Sequence, residues 1–132
     1  MLQLSESANL FVSTETYTGY QHTAGLVILD ASESRDFCFE KLKAFVAERI
    51  DPIPQFRWKL REVPFGLDLP YWVEDDQYSI DRHIHRIAVP APGDMRALTE
   101  LAGYLYSRRL DRSKPLWELW FIEGLAGRRY AL

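Results

Sequence analysis

The segment LDRSKPLWELWFI, residues 110–122, changes character at Pro115. From Leu116 to Ile122 it is apolar except for Glu118 and carries Trp117 and Trp120, which predicts a strand covered on both faces. Downstream, Gly124 to Arg129 reads as a turn, and Tyr130-Ala131-Leu132 begins another extended run. Upstream, Met95, Leu98, Leu101, Ala102 and Leu105 recur at helical spacing, predicting a helix that is N-capped by Asp94 and runs to about Arg109. Pro90-Ala91-Pro92-Gly93 is a clear break before it.

Further back, the chain reads as extended. Ile80, Arg82, Ile84 and Arg86 share one face of a run whose other face holds Asp81, His83, His85 and Ile87. Phe56 to Val63 alternates bulk with charge at period two, Pro64-Phe65-Gly66 signals a turn, and Tyr71 to Val73 forms a short second strand. A helix precedes them. Cys38, Leu42, Phe45, Val46 and Ile50 make its apolar stripe, Ser32 and Ser34 offer N-cap oxygens, and Asp51-Pro52 ends it. Ala24 to Leu29 suits a buried strand, and Ser5 to Glu15 a short helix. The order of elements predicts an α+β domain with a mixed or mainly antiparallel sheet and flanking helices.

With 47% apolar and 14% aromatic residues, the 132-residue chain has enough material for one folded domain. A formal net charge of −3 lacks the basic surplus that replaces counterions on phosphate, so no nucleic-acid partner is expected. Cys38 is the sole cysteine, which excludes an intramolecular disulfide and suits a reducing cytoplasm. The opening residues lack the charged and apolar regions of a signal peptide, and no apolar run approaches the ~20 residues of a membrane span. A cytoplasmic protein is expected, at most peripheral at a membrane or lipid-body surface.

Chemistry-bearing patterns are few. Asp81, His83 and His85 would share one strand face, and two imidazoles at that spacing chelate zinc when a third ligand arrives. The competing reading is a polar face without metal, and no metal site is expected. Cys38 lies on an apolar stripe, where a thiol stays inert, and no nucleophile elbow or phosphate-cradling glycine loop occurs. Glu74-Asp75-Asp76 reads as a solvated turn. Arg108, Arg109, Arg112 and Lys114 form a basic patch, suited either to a helix C-terminus or to anionic lipid or CoA phosphate.

Residues 110–118, LDRSKPLWE, resemble the "LDRSRPLWE" signature of the wax ester synthase/diacylglycerol acyltransferase family. Leu4-Ser5 with Phe11 and Glu15, His22 to Leu26, Pro54 to Arg57, Tyr71 to Asp75, Asp81 to Ile84 with Val89 to Gly93, and Ile122 to Leu125 are similar to further family segments, in family order. The resemblance implies a chloramphenicol-acetyltransferase-like fold of two lobes, of which residues 1–132 would be a single partial domain, the front lobe. It also implies transfer of a fatty acyl group from acyl-CoA to the hydroxyl of diacylglycerol or a fatty alcohol. Acyl-CoA would be a substrate, and no cofactor is expected.

In that family a histidine of HHxxxDG removes the acceptor's hydroxyl proton, which requires an imidazole within hydrogen-bond reach. No His-His pair occurs here, and Ala8 stands where the family's opening motif has Asp. The expectation is a truncated relative, without a catalytic residue and inactive alone. The alternatives are one half of a split, two-chain acyltransferase, or a non-catalytic lipid- or protein-binding module. Pro115, Leu116 and Trp117 are the expected substrate-binding residues, with core packing as the other reading. An exposed edge strand and apolar face would favour a second-lobe chain or self-association.

Overall fold

The computed structural model describes residues 1–132, which form seven strands and three α-helices. In chain order these are β1 Leu2–Gln3, α1 Glu6–Thr14, β2 Ile28–Asp30, α2 Phe39–Ile50, β3 Trp58–Arg61, β4 Tyr71–Glu74, β5 Ile84–Ala88, α3 Met95–Tyr106, β6 Leu119–Leu125 and β7 Arg129–Ala131. Short 3-10 turns precede β3, β4 and β5. The larger sheet has the order β2-β7-β6-β5 and is mixed: β5 and β6 run parallel, and the other two pairs are antiparallel. Parallel neighbours need a crossover, and α3 supplies it. A smaller antiparallel sheet has the order β1-β4-β3. This is the expected α+β class.

The long apolar run does become a strand covered on both faces. Ile122 packs with Val89, Leu98, Leu125 and Ala131, so this face meets α3, whose Leu98 is wholly buried. Phe121 points the other way, stacked on Tyr130 with ring centroids 5.1 Å apart and tilted against Phe37 and Phe39. The strand starts at Leu119, three residues later than expected. Pro115 has no N–H to donate, and the Trp117 N–H turns back onto the Pro115 carbonyl at 2.9 Å.

The turn chemistry is tight where β5 leaves for α3. Gly93 has φ 72°, and a Cβ built there would lie 2.0 Å from the Gly124 carbonyl oxygen. Only glycine fits. Asp94 then caps α3 by accepting from the Ala97 N–H at 2.8 Å. Ser5 caps α1 in the same way, accepting from Ala8.

Several local expectations are corrected. α3 stops at Tyr106 rather than near Arg109. α2 begins at Phe39 and not after Ser32 or Ser34, because the Asp30 carboxylate holds the Ser32 N–H and Ser34 bonds back to Ala31 in a separate turn. Cys38 therefore sits at the helix N-cap and is exposed, not on the core stripe. Of the expected buried strand Ala24 to Leu29 only Ile28 and Leu29 are β-structure, in β2, and this is a sheet edge with Leu26, Val27 and Ile28 open to solvent. Ile80–Arg82 is a 3-10 turn, so strand alternation does not begin until Ile84, and both His83 and Ile84 are buried. Asp75 is no solvated turn residue: it is buried, and its carboxylate accepts from Lys59 Nζ at 2.7 Å.

Candidate functional site: an apolar cleft beside Leu116 and Trp117

Four segments meet around an open cleft of about 990 Å³. α1 contributes Phe11 and Val12, Glu15 follows at its C-terminus, and residues 21–27 form the approach to β2. The second half of α3 adds Ala102, Leu105 and Tyr106. Leu116 to Trp120, Ile122 and Leu132 line the remaining side. The lining is mostly apolar, and the volume lies at the upper end of the range of small-molecule sites, about 300–1,000 Å³.

One ion-pair knot ties the walls together. Arg112 reaches the Glu15 carboxylate at 2.7 Å, the Val12 carbonyl at 2.8 Å and Glu62 at 3.0 Å, and Arg109 adds a contact to Glu15 at 3.3 Å. Burial works to raise the Glu15 carboxyl, but hydrogen bonding and charge from Arg112, then Arg109, outweigh it and hold it below its ordinary value. Another tie is reciprocal: His22 Nε2 lies 2.8 Å from the Tyr106 carbonyl, and the Tyr106 hydroxyl donates to the His22 carbonyl at 3.2 Å. Because a carbonyl only accepts, His22 Nε2 carries the proton.

Of the expected substrate-binding residues, Leu116 and Trp117 line the cleft, and Pro115 is fully buried behind them. Trp117 is fixed from three directions. Its indole N–H donates to the Phe56 carbonyl at 2.8 Å, Phe56 meets it edge-on, and His83 stacks on it at 4.5 Å with the planes 15° apart. His83 Nδ1 also lies 2.9 Å from the Trp117 carbonyl. Burial pushes the His83 pKa down, and that carbonyl only partly opposes the shift. His85 packs on Trp120 at 4.6 Å; burial likewise lowers its pKa, against the pull of Glu118.

The three histidines do not converge. His22 lines the cleft, His83 lies beneath Trp117, and Asp81, out in its 3-10 turn, pairs with Lys43 at 2.9 Å. No three His, Cys, Asp or Glu side chains are arranged to hold a metal ion. The expected basic patch is largely committed to internal partners, with Arg109 and Arg112 on Glu15 and Lys114 on Glu118. The cleft is not legible in the sequence, since its walls come from segments more than a hundred residues apart. No helix is long and apolar enough to cross a membrane.

Comparison with known proteins accounts for this architecture. The family profile described as the wax ester synthase/diacylglycerol acyltransferase catalytic domain matches residues 4–132. A candidate diacylglycerol O-acyltransferase of Mycobacterium tuberculosis is 39% identical over 116 residues, covering 87% of this chain and 25% of the relative. A second from that organism, tgs3, is 37% identical over 130 residues, 98% of this chain and 48% of the relative. Among solved structures, the wax ester synthase/diacylglycerol acyltransferase of Marinobacter aquaeolei VT8 superposes with a TM-score of 0.77 at 27% identity, covering 99% of this chain and 31% of that one. The chain thus spans from about a quarter to about a half of these curated relatives' length. Its two sheets, three helices and Pro-Leu-Trp segment are those of a front lobe, and the chain belongs to the wax ester synthase/diacylglycerol acyltransferase catalytic-domain family.

Proposed function

We propose that this chain is the acyl-binding front lobe of an acyl-CoA-dependent O-acyltransferase, which passes a fatty acyl group to the hydroxyl of diacylglycerol or a fatty alcohol. The observation that carries the reading is the open apolar cleft of about 990 Å³ running past Leu116 and Trp117. Those two side chains are assigned to the acyl chain, and buried Pro115 to holding them in place. Leu116→Asp is therefore expected to abolish acyl binding. The reaction's general base is assigned outside these residues. His22 is the one histidine in the cleft lining, and its Nε2 proton is engaged by the Tyr106 carbonyl while its Nδ1 is enclosed.

Purified chain incubated with acyl-CoA and diacylglycerol should bind the acyl-CoA, read as tryptophan quenching, yet form no ester above background. Absence of quenching sinks the acyl-lobe reading. Turnover lost on His22→Ala would instead place a base inside this lobe.

The sheet edge supports a partner for the lobe. Leu26 and Val27, just before β2, and Ile28, its first residue, are 43%, 54% and 41% exposed along the sheet edge. Exposed apolar strand edges recruit other chains. A second lobe is the proposed occupant, and self-association is expected where it is lacking. A monodisperse monomer by light scattering at high concentration would contradict this. In this reading the assembled protein works at a membrane or lipid-body surface, where lipid substrates of this class reside.

A further inference from the structure

Charge around the cleft is not balanced, and the imbalance sits on one residue. Arg109 and Arg112 share Glu15, Arg112 also takes Glu62, and Lys114 takes Glu118 together with the Arg82 carbonyl. Arg108 has no carboxylate within ion-pair distance and makes no side-chain hydrogen bond, although it lines the same cleft. Its guanidinium lies over the Trp120 ring, 5.7 Å from the centroid, while His85 packs against that ring at 4.6 Å. The Trp120 indole N–H donates to Glu118, which fixes the ring's orientation. A planar cation set over an aromatic face keeps its N–H groups free for a ligand.

We infer that Arg108 is the anion-recognition end of the cleft and that the site takes a long-chain monoanionic amphiphile, a fatty carboxylate. This rests on the proposed acyl-binding role of the cleft and adds to it a second ligand, the free acid, whose head group is charged where the thioester of acyl-CoA is neutral. The apolar lining by Leu26, Leu105, Leu116 and Ile122 accommodates the chain. The head group follows from the charge balance. One uncompensated guanidinium matches one negative charge, and guanidinium and carboxylate meet as a two-pronged pair. A nucleotide's clustered phosphates would need several free cations, and the neighbouring ones are already engaged.

The test is a tryptophan-fluorescence titration of the full chain with hexadecanoate, with hexadecanol, and with free CoA. Hexadecanoate should bind more tightly than hexadecanol, while free CoA neither binds nor competes. Arg108→Gln should weaken hexadecanoate roughly fivefold, the upper range for an exposed ion pair, and leave hexadecanol unchanged, with Arg108→Lys restoring part of the loss. Equal affinity for acid and alcohol, or an Arg108→Gln variant that binds hexadecanoate as before, overturns the inference while leaving the apolar cleft as an acyl site. Competition by free CoA would overturn it in favour of a phosphate site. Failure of both long-chain ligands to bind would refute the acyl-binding role itself.

Discussion

Replacing His83 with phenylalanine separates the packing of that ring from its titration. The side chain is wholly buried, and its Nδ1 donates to the Trp117 carbonyl at 2.9 Å. Nε2 is then a bare acceptor, and it is enclosed without a partner. Burial holds the folded pKa below the ordinary 6.5, with the Trp117 carbonyl pulling weakly the other way. The unfolded chain consequently binds more protons than the folded one as pH falls below that value, and stability drops with pH. For one imidazole the loss between about pH 7.5 and about pH 5.5 is at most ~1.4 kcal/mol. Phenylalanine keeps the stack on Trp117 and forfeits the hydrogen bond, a cost of about 1 kcal/mol at the higher pH, but it does not titrate. Urea unfolding followed by tryptophan fluorescence should show the wild type more stable at the higher pH and the gap between the two proteins narrowing at the lower. His85 titrates in both proteins and cancels in the difference. A gap of constant size across that range would falsify the assignment of His83 as a neutral, buried support for Trp117.

Other substitutions probe other parts of the lobe. Phe121→Ala removes a wholly buried ring from the Phe37, Phe39 and Tyr130 cluster and should cost about 3–5 kcal/mol in urea stability; less than about 1 kcal/mol would mean the aromatic face is loosely packed. Gly93→Ala forces a methyl onto the Gly124 carbonyl at positive φ and should lose at least about 2 kcal/mol or soluble yield altogether, whereas a wild-type midpoint would contradict that close approach. Asp94→Ala takes the cap from α3 and should cost about 1 kcal/mol, with Asp94→Ser recovering most of it. Glu15→Gln weakens the knot on Arg112 by about 1.5 kcal/mol at neutral pH. Because the Glu15 pKa is depressed in the folded state, that stabilisation is present above the unfolded value of 4.5 and fades as pH falls through the lower folded value, so wild type and variant should merge in acid.

The parts of the fold legible in the sequence are those dictated by neighbours along the chain. The apolar spacing of Met95 to Leu105, the Pro90–Gly93 break and the Asp94 cap specify α3 with little help from elsewhere. Leu116–Ile122 announces a buried strand because its bulk has no polar face to turn outward. The misreadings arise where distant residues decide. Phe37 and Phe39 pack on Phe121 and Tyr130, which holds residues 31–38 in turns and delays α2, leaving Cys38 outside its stripe. His83 looks like an exposed strand residue until Trp117, thirty-four residues away, covers it. Leu26 to Ile28 have the composition of a core strand, yet they lie at a sheet edge and beside the cleft, where about half of each stays open to solvent. Of the cleft, the sequence points to Leu116 and Trp117 but not to the opposite wall, because Glu15 and Arg112 meet across ninety-seven residues.

The short strings that carry the family resemblance are largely places where the chain touches itself. Phe56, from the Pro-x-Phe-Arg segment, accepts the Trp117 indole N–H. His83, from the Asp-Arg-His-Ile segment, stacks on Trp117, and its carbonyl receives the Leu119 N–H. Gly93, closing the Pro-Ala-Pro-Gly break, presses against Gly124 of the Ile-Glu-Gly-Leu segment at the end of β6. Glu15, near the opening, pairs with Arg112 of the Pro-Leu-Trp block. Such mutual contacts tie each string to the others, because changing one leaves a buried partner unpaired or a close approach blocked. The resemblance is therefore strongest on the scaffold that positions Leu116 and Trp117, while Tyr106, Arg108 and Leu132, on the cleft wall, lie outside every matched string. Ligand preference should accordingly vary through those wall positions while the lobe keeps its shape. Substitutions at Arg108 should alter which amphiphile binds with little effect on unfolding, and those at Gly93 the reverse.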